Sequence, residues 1–446
     1  MTKGKSLLYS SGNLAASLSG SVFSTYVIFY YVDVLKMPPH LIGLAMALYG
    51  VWNAINDPLL GQLSDRTRSR WGRRKPYILF GTIPFVLFFT LVWTPPVGAI
   101  GTSVPLMLVY FISIIFLFDG LYTLVIINWT ALFPEMYRTQ EERTRVSMYR
   151  QIFGVVGNIL GVALPPILYG SIGWAAMGIG FGVLTLVFLG LSYTGAKEDP
   201  AASENPGLPF GKSIAATFGN RSFLTYVIAA MFVQFTFVML QAVLPFYSKY
   251  ILRIEGFKVS LLLGTIFIVA MLLVYVWMRR ANKWGSRTTI LVSVLIYGLA
   301  LVPFWFVKGY VGALVTAACV GVGLAGLMVL LDVMLSDVVD EDELRTGARR
   351  EGMYFGVNGF MVRIAISFQS ILMGAILATS GYNANLSVAE QPAGALTGIR
   401  ILLVVIPIAS LLCATVFYAF YPLHGEKLAG VRAALVARHR GDADRG

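Results

Sequence analysis

Five charged side chains interrupt long apolar stretches of this sequence: Asp57, Asp119, Arg150, Asp332 and Arg363. A charge among apolar residues is costly unless it is paired, hydrated or used, so each is a candidate for ion or proton handling. Asn53 lies one helical turn before Asp57 on the same face, and Thr123 lies one turn after Asp119. A carboxylate with amide or hydroxyl oxygens nearby suits a hard cation or a transported proton. The expected cation site is therefore Asp57, Asn53, Thr123 and Asp119. The plainer readings are that Asp57, before Pro58, caps or kinks its helix, and that Asp119 is a buried acid bonded to Tyr122 or to a neighbouring helix. No metal or redox centre is expected, because Cys319 and Cys413 lie far apart in apolar runs and the histidines fall in loops or the tail.

A second set of residues could hold a polar solute. Asp332 could pair with Arg363, since an unpaired guanidinium within a helix bundle would be costly. Gln234 and Gln241 share one helix face at seven-residue spacing, and Tyr122 is one of several aromatics that could stack on a ring. Arg150 opens an apolar run, where it could equally reach back to the surface.

The elements that must position these residues are membrane helices. Hydrophobic residues make up 57% of the 446 and charged residues only 13%, with a mean hydropathy of +0.74. A soluble protein would carry about a quarter charged residues. The net charge of +12 is spread as short basic clusters between apolar runs, which encodes membrane orientation and excludes a nucleic-acid binder. Runs near the ~20 residues that cross a bilayer fall at 6–35, 40–63, 76–96, 103–133, 146–170, 173–195, 220–252, 257–280, 286–308, 310–338, 352–380 and 397–422. The fold class expected is an all-α polytopic membrane protein with twelve transmembrane helices in two six-helix bundles. The bundles are expected over 1–195 and 220–424, joined by a cytoplasmic linker over 196–219 and followed by a cytoplasmic tail over 425–446. Placing both termini inside puts 26 of the 34 basic residues on the cytoplasmic side.

The two halves echo one another. The turn Gly61 to Lys75 and the turn Arg279 to Arg287 are both basic, and each carries a Trp-Gly pair, Trp71-Gly72 and Trp284-Gly285. Repeated six-helix units suit a rocking transporter. In the first turn, Asp65 stands at a helix end facing Arg66, Arg73 and Arg74, and charge-assisted bonds between them would latch the cytoplasmic side. The alternative is that these cations only set topology.

Gly61-Gln62-Leu63-Ser64-Asp65-Arg66 followed by Gly72-Arg73-Arg74 resembles the loop signature of the major facilitator superfamily. Asn56-Asp57-Pro58-Leu59-Leu60-Gly61, Asp337 to Asp340 with Arg349 to Gly352, and Phe29 to Val34 resemble the glycoside–pentoside–hexuronide:cation symporters, melibiose-permease-like. The resemblance runs from about residue 8 to residue 424 and implies the major facilitator fold. It further implies cation binding at Asp57, sugar contacts at Arg150, a cation at Arg363, and an extension of the cytoplasmic gate to Asp337, Asp340 and Arg350. At three places the sequence departs from the family pattern. Asn53 and Ile126 stand where carboxylates are expected, and Ala16 and Ser17 replace a Lys-Asp pair in the sugar site. The substrate-binding set is thus Arg150, Tyr122, Arg363, Gln241, Asp332 and Ser17.

The expected function is gradient-driven symport of a sugar, glycoside or related polar solute with Na⁺ or H⁺, by alternating access. No cofactor is expected beyond the coupling ion. No phosphate-binding loop is present, so ATP is not the energy source. The expected surroundings are membrane lipid in a bacterial inner membrane, with a monomeric chain and no nucleic acid. A lysolipid or other amphiphile carrier is the alternative; a membrane enzyme would need a clustered catalytic set that the sequence lacks.

Overall fold

The computed structural model describes residues 2–443 apart from 68, 70–71, 102, 138, 199–218 and 348–349. Among the described residues every regular element is helical. In chain order they are α1 (Lys3–Val34), α2 (Pro39–Arg66), α3 (Lys75–Trp93), α4 (Val104–Met136), α5 (Gln140–Ala163) and α6 (Pro165–Gly195). There follow α7 (Arg221–Leu252), α8 (Phe257–Trp284), α9 (Ser286–Trp305), α10 (Tyr310–Thr346), α11 (Glu351–Thr379), α12 (Ala393–Ala419) and α13 (Gly425–Ala443).

Ten of these are long and apolar enough to cross a bilayer, counted over the described residues. At 28 and 24 residues, α2 and α5 reach the length as well, but they carry more polar residues. Along α2, Leu44, Leu48, Val51, Ile55, Leu59 and Leu63 stay exposed at three- and four-residue spacing. Such a stripe has no place in water and suits lipid. The molecule is an all-α, multi-pass membrane protein.

Proline and glycine set the breaks. Pro39, Pro76, Pro105 and Pro165 stand in the first turn of α2, α3, α4 and α6, where a missing N–H costs nothing. The sequence reading puts the fifth break near residue 171. The chain breaks instead at Leu164–Pro165, and Gly173 (φ 84°) becomes a kink inside α6. Two prolines in a row fix the backbone more firmly than one glycine does.

The chain divides into two compact units. The first comprises Met1–Pro206, Gln241–Gly264 and Ser370–Ile399; the second comprises Gly207–Leu240, Thr265–Gln369 and Arg400–Gly446. The division thus falls within α7, α8, α11 and α12, whereas the sequence halves meet at the linker, which lies almost wholly outside the described residues.

In the first unit α1 is mostly buried from Tyr9 to Asp33, packed against α5. Its fit depends on small residues. A Cβ at Gly157 would collide with the Leu14 carbonyl, and one at Gly161 with the Leu18 carbonyl. The same device packs the second unit, where Gly321 meets the Ile266 carbonyl and Gly323 meets Tyr297. Two features repeat along the chain. A π-helical turn ends α1 at Tyr30–Val34 and α7 at Ser248–Leu252, each followed by a basic residue with positive φ, Lys36 and Arg253. Gly72 and Gly285, the glycines of the two Trp-Gly pairs, both have positive φ. Only glycine adopts that conformation without strain, which is why the pair recurs.

Candidate functional site

The first unit assembles a carboxylate cluster between α2 and α4. Asp119 is 1% exposed and accepts an amide N–H on each oxygen, from Asn53 Nδ2 on Oδ1 and from Asn56 Nδ2 on Oδ2. One turn along α4, the Thr123 hydroxyl donates to Asp57 Oδ1 at 3.0 Å. All four residues of the expected cation site therefore meet in one place. Asn56 is a fifth member absent from the sequence reading, which follows the i, i+4 face from Asn53 to Asp57. The α2 face turned to α4 is wider than one line of residues, so positions 53, 56 and 57 all reach it. Asn56 Oδ1 is buried with no hydrogen-bond partner. A free acceptor oxygen beside two carboxylates is a feature that a cation or a proton-bearing group would satisfy.

Arg150 lies on α5, a short way along the same unit. Its guanidinium sits 4.6 Å over the Trp129 ring and 4.9 Å over Phe133, which orient it by cation–π attraction. Its Nε is buried without an acceptor among the described residues, so a donor remains for a ligand oxygen. Asn13 of α1 fixes the backbone by donating to the Arg150 carbonyl at 2.7 Å. Ser17 faces Gly154 and Gly157 on this α1–α5 seam. Gln241 accepts from the Ser24 and Thr25 hydroxyls at 3.3 and 3.4 Å, tying α7 to α1. Tyr122 packs its ring against Phe85 and Phe118.

In the second unit the expected Asp332–Arg363 pair does not form. Asp332 is exposed, and its carboxylate has no partner among the described residues. Only its backbone carbonyl is engaged, by the Ser336 hydroxyl at 2.9 Å. Arg363 makes contacts of its own without Asp332, so the cost of an unpaired guanidinium does not fall on this pair.

The cytoplasmic gate residues separate into three groups. The side chains of Asp65 and Arg66 lie outside the described residues. Arg73 and Arg74 both reach Glu135 at the end of α4, at 3.0 and 2.8 Å. Their backbone N–H groups, with that of Lys75, point to the Glu198 carboxylate, which caps α3 at 2.6 to 3.1 Å. A Cβ on Gly72 would overlap that carboxylate. Neither acid is assigned from sequence; both stand where an apolar run ends, a weak signal on its own. In the second unit Arg350 grips Asp342 with two bonds of 2.8 and 2.5 Å, and Asp337 pairs with Arg432 of α13 at 2.7 Å. Of the gate residues expected here, Arg350 is thus engaged by Asp342 and Asp337 by the tail. Asp342 lies eight residues from Arg350, near enough for a local clamp around the turn.

One further cluster went unassigned. Asp33 is 1% exposed at the end of α1, within the Phe29 to Val34 motif. Lys249 pairs with it at 2.5 Å, Tyr382 donates to it at 2.7 Å, and Tyr250 donates as well. Every donor comes from a segment of the first unit that is distant in sequence, so no local pattern reveals the group. Burial of the acid-linked Tyr382 hydroxyl pushes its pKa well up, so it stays a donor at any physiological pH.

Residues 8–425 match the model of a family described as MFS/sugar transport protein. An uncharacterized symporter of Synechocystis sp. is 28% identical, covering 97% of this chain and 96% of its own. An isoprimeverose transporter of Lactiplantibacillus pentosus is 28% identical over 93% of this chain and 87% of its own. Among solved structures, a D-xylose–proton symporter superposes with a TM-score of 0.66 at 16% identity, covering 94% of this chain and 98% of that one. At that identity the likeness speaks for the fold alone.

Proposed function

We propose that this chain, which belongs to the MFS/sugar transport protein family, is a cation-coupled symporter that moves a sugar or glycoside by alternating access. It is a transporter rather than an enzyme. The observation that carries the reading is the cluster of Asp57, Thr123, Asn53, Asn56 and Asp119, a set of membrane-embedded carboxylates dressed with amides and a hydroxyl. A charge held at that depth serves transport by default. Relatives named for isoprimeverose and for glycosides support the solute class.

The coupling ion is a proton or a sodium ion at Asp57 and Asp119. One amide N–H on each Asp119 oxygen leaves a second lone pair on each, and with the free Asn56 Oδ1 these can take a sodium ion or a proton. Arg150 donates to the solute, and Tyr122, Gln241 and Ser17 line its approach. Cation and solute favour each other's binding, and the coupling is reciprocal. Both termini lie in the cytoplasm of a bacterial inner membrane, and the chain works as a monomer.

The test is Asp57→Cys assayed in a gradient-driven uptake series with Na⁺, Li⁺ and stepped pH, using glycosides, hexuronides and lysolipids. Loss of uphill accumulation with intact folding is expected. Normal accumulation by that variant would sink the assignment, and uptake of lysolipid alone would replace the solute class by an amphiphile.

A further inference from the structure

The second unit contains a cavity lined by none of the residues assigned above to the cation or the solute. It measures about 590 Å³ and lies between the start of α7, the end of α10 and the tail helix α13. That size falls within the ~300–1,000 Å³ of small-molecule sites. Arg221, Arg345 and Lys427 line it, with Glu341, Ser222 and the apolar wall of Val431. Arg221 and Arg345 are exposed, and neither has a side-chain partner among the described residues. Asn220 already caps α7 through the Ser222 and Phe223 N–H groups, so the positive charge in the cavity comes from side chains.

Glu341 supplies the second, independent observation. It is only 7% exposed, and Lys427 engages its Oε1 at 2.6 Å. Its Oε2 is buried and has no partner. A buried carboxylate oxygen left unsatisfied is costly, and Glu341 is part of the cavity wall, so a turn of its carboxylate brings a free oxygen to a ligand. Three cations against one carboxylate call for an anion. The free Oε2 calls for a hydroxyl donor on the same ligand.

We propose that this cavity binds a phosphate group carrying hydroxyls, such as a polyol phosphate. Arg221, Arg345 and Lys427 hold the phosphate, and Glu341 Oε2 accepts from a hydroxyl. Guanidinium groups fit phosphate oxygens in pairs. Basic pockets between helices at a membrane face also take anionic headgroups, so the same chemistry can arrive on a free metabolite or on a lipid. Because Lys427 and Val431 belong to α13, the bound group fastens the tail to α7 and α10.

The test uses the full-length protein in phosphatidylcholine nanodiscs, with thermal stability read against glycerol 3-phosphate, inorganic phosphate and glycerol. A second arm replaces part of the lipid with phosphatidylglycerol. A saturable response to glycerol 3-phosphate, at least tenfold tighter than to inorganic phosphate, identifies a free ligand. Stabilisation by phosphatidylglycerol that glycerol 3-phosphate competes away identifies the lipid headgroup. In either case the paired change Arg221→Gln with Arg345→Gln should weaken the response at least tenfold, and Glu341→Gln should erase the preference over inorganic phosphate. If the paired variant fails to fold, Arg345→Glu, at an exposed residue without side-chain contacts, must abolish the response. No saturable response in either arm, equal response to inorganic phosphate, or full response in the arginine variants overturns the proposal.

Discussion

Asp119 and Asp332 stand 213 positions apart, the same interval that separates Gly72 from Gly285 and Trp71 from Trp284. They are matching residues on matching helices, yet their surroundings differ. Asp119 is buried and wrapped by two amides; Asp332 is exposed, with a free carboxylate. The same interval carries Thr123 onto Ser336, a second hydroxyl. It carries Asn53, Asn56 and Asp57 of α2 onto Ile266, Val269 and Ala270 of α8, all apolar. A carboxylate at a repeated position becomes a site only where the neighbouring helix supplies donors. α2 supplies those donors, and the matching positions of α8 do not.

Removing the wrapped charge should have the largest effect. Asp119→Asn would set an amide against two amide donors, a loss on the order of 1–3 kcal/mol in the cluster together with the titratable group. Uphill accumulation should fall by about a hundredfold, the equivalent of about 2.7 kcal/mol, while solute exchange without a gradient continues. Accumulation at the level of the parent protein would place the coupling charge elsewhere. A second change sharpens the contrast by adding charge to the wrapped side. Asn53→Asp adds a third carboxylate to Asp57 and Asp119, at a position where the family pattern has one. Three anions attract a hard cation more strongly than two, so the sodium concentration for half-maximal stimulation should drop about tenfold, or about 1.4 kcal/mol. An unchanged sodium response in uptake assays would show that the amides, and not the charge count, decide ion choice.

Asp33 tests whether being buried and fully bonded is itself enough to mark a coupling site. It is bonded by Lys249, Tyr250 and Tyr382 rather than by amides. Asp33→Asn should lower the melting temperature by several degrees, consistent with about 1–3 kcal/mol for an unsatisfied buried donor. It should slow uptake without altering its dependence on the ion. A changed ion dependence would make Asp33 part of the coupling machinery.

The helices and their order are legible because apolar runs of membrane length have few alternatives. Asp57, Asn53, Thr123 and Asp119 are legible for a similar reason, since charges in such runs are rare. Their mutual contact is not, because it depends on how α2 rotates against α4. Asn56 is overlooked because one i, i+4 line describes less than the whole helix face. Glu135, Glu198 and the donors to Asp33 are overlooked for a different reason. They act from segments far along the chain, on carboxylates or amines that look ordinary at a helix end. The Asp332–Arg363 pairing fails because sequence shows that a charge lies in an apolar run but not whether that position faces protein, lipid or water.

Asp332→Asn should then have the smallest effect of the four. A carboxylate with no partner loses no bond on becoming an amide, and an exposed charge is worth about 0–1 kcal/mol to its surroundings. Uptake should stay within about twofold of the parent, with the same ion and pH dependence and an unchanged melting temperature. Ser336 bonds to the Asp332 backbone and not to its carboxylate, so local helix structure is not at stake. A large loss of accumulation with folding intact would mean that Asp332 acquires a partner in another conformation of the transport cycle. The two halves would then differ in timing rather than in kind, each acid wrapped in its own state. Adding Arg363→Gln separates those outcomes: if the two changes together cost no more than either alone, the acid and the guanidinium meet during the cycle.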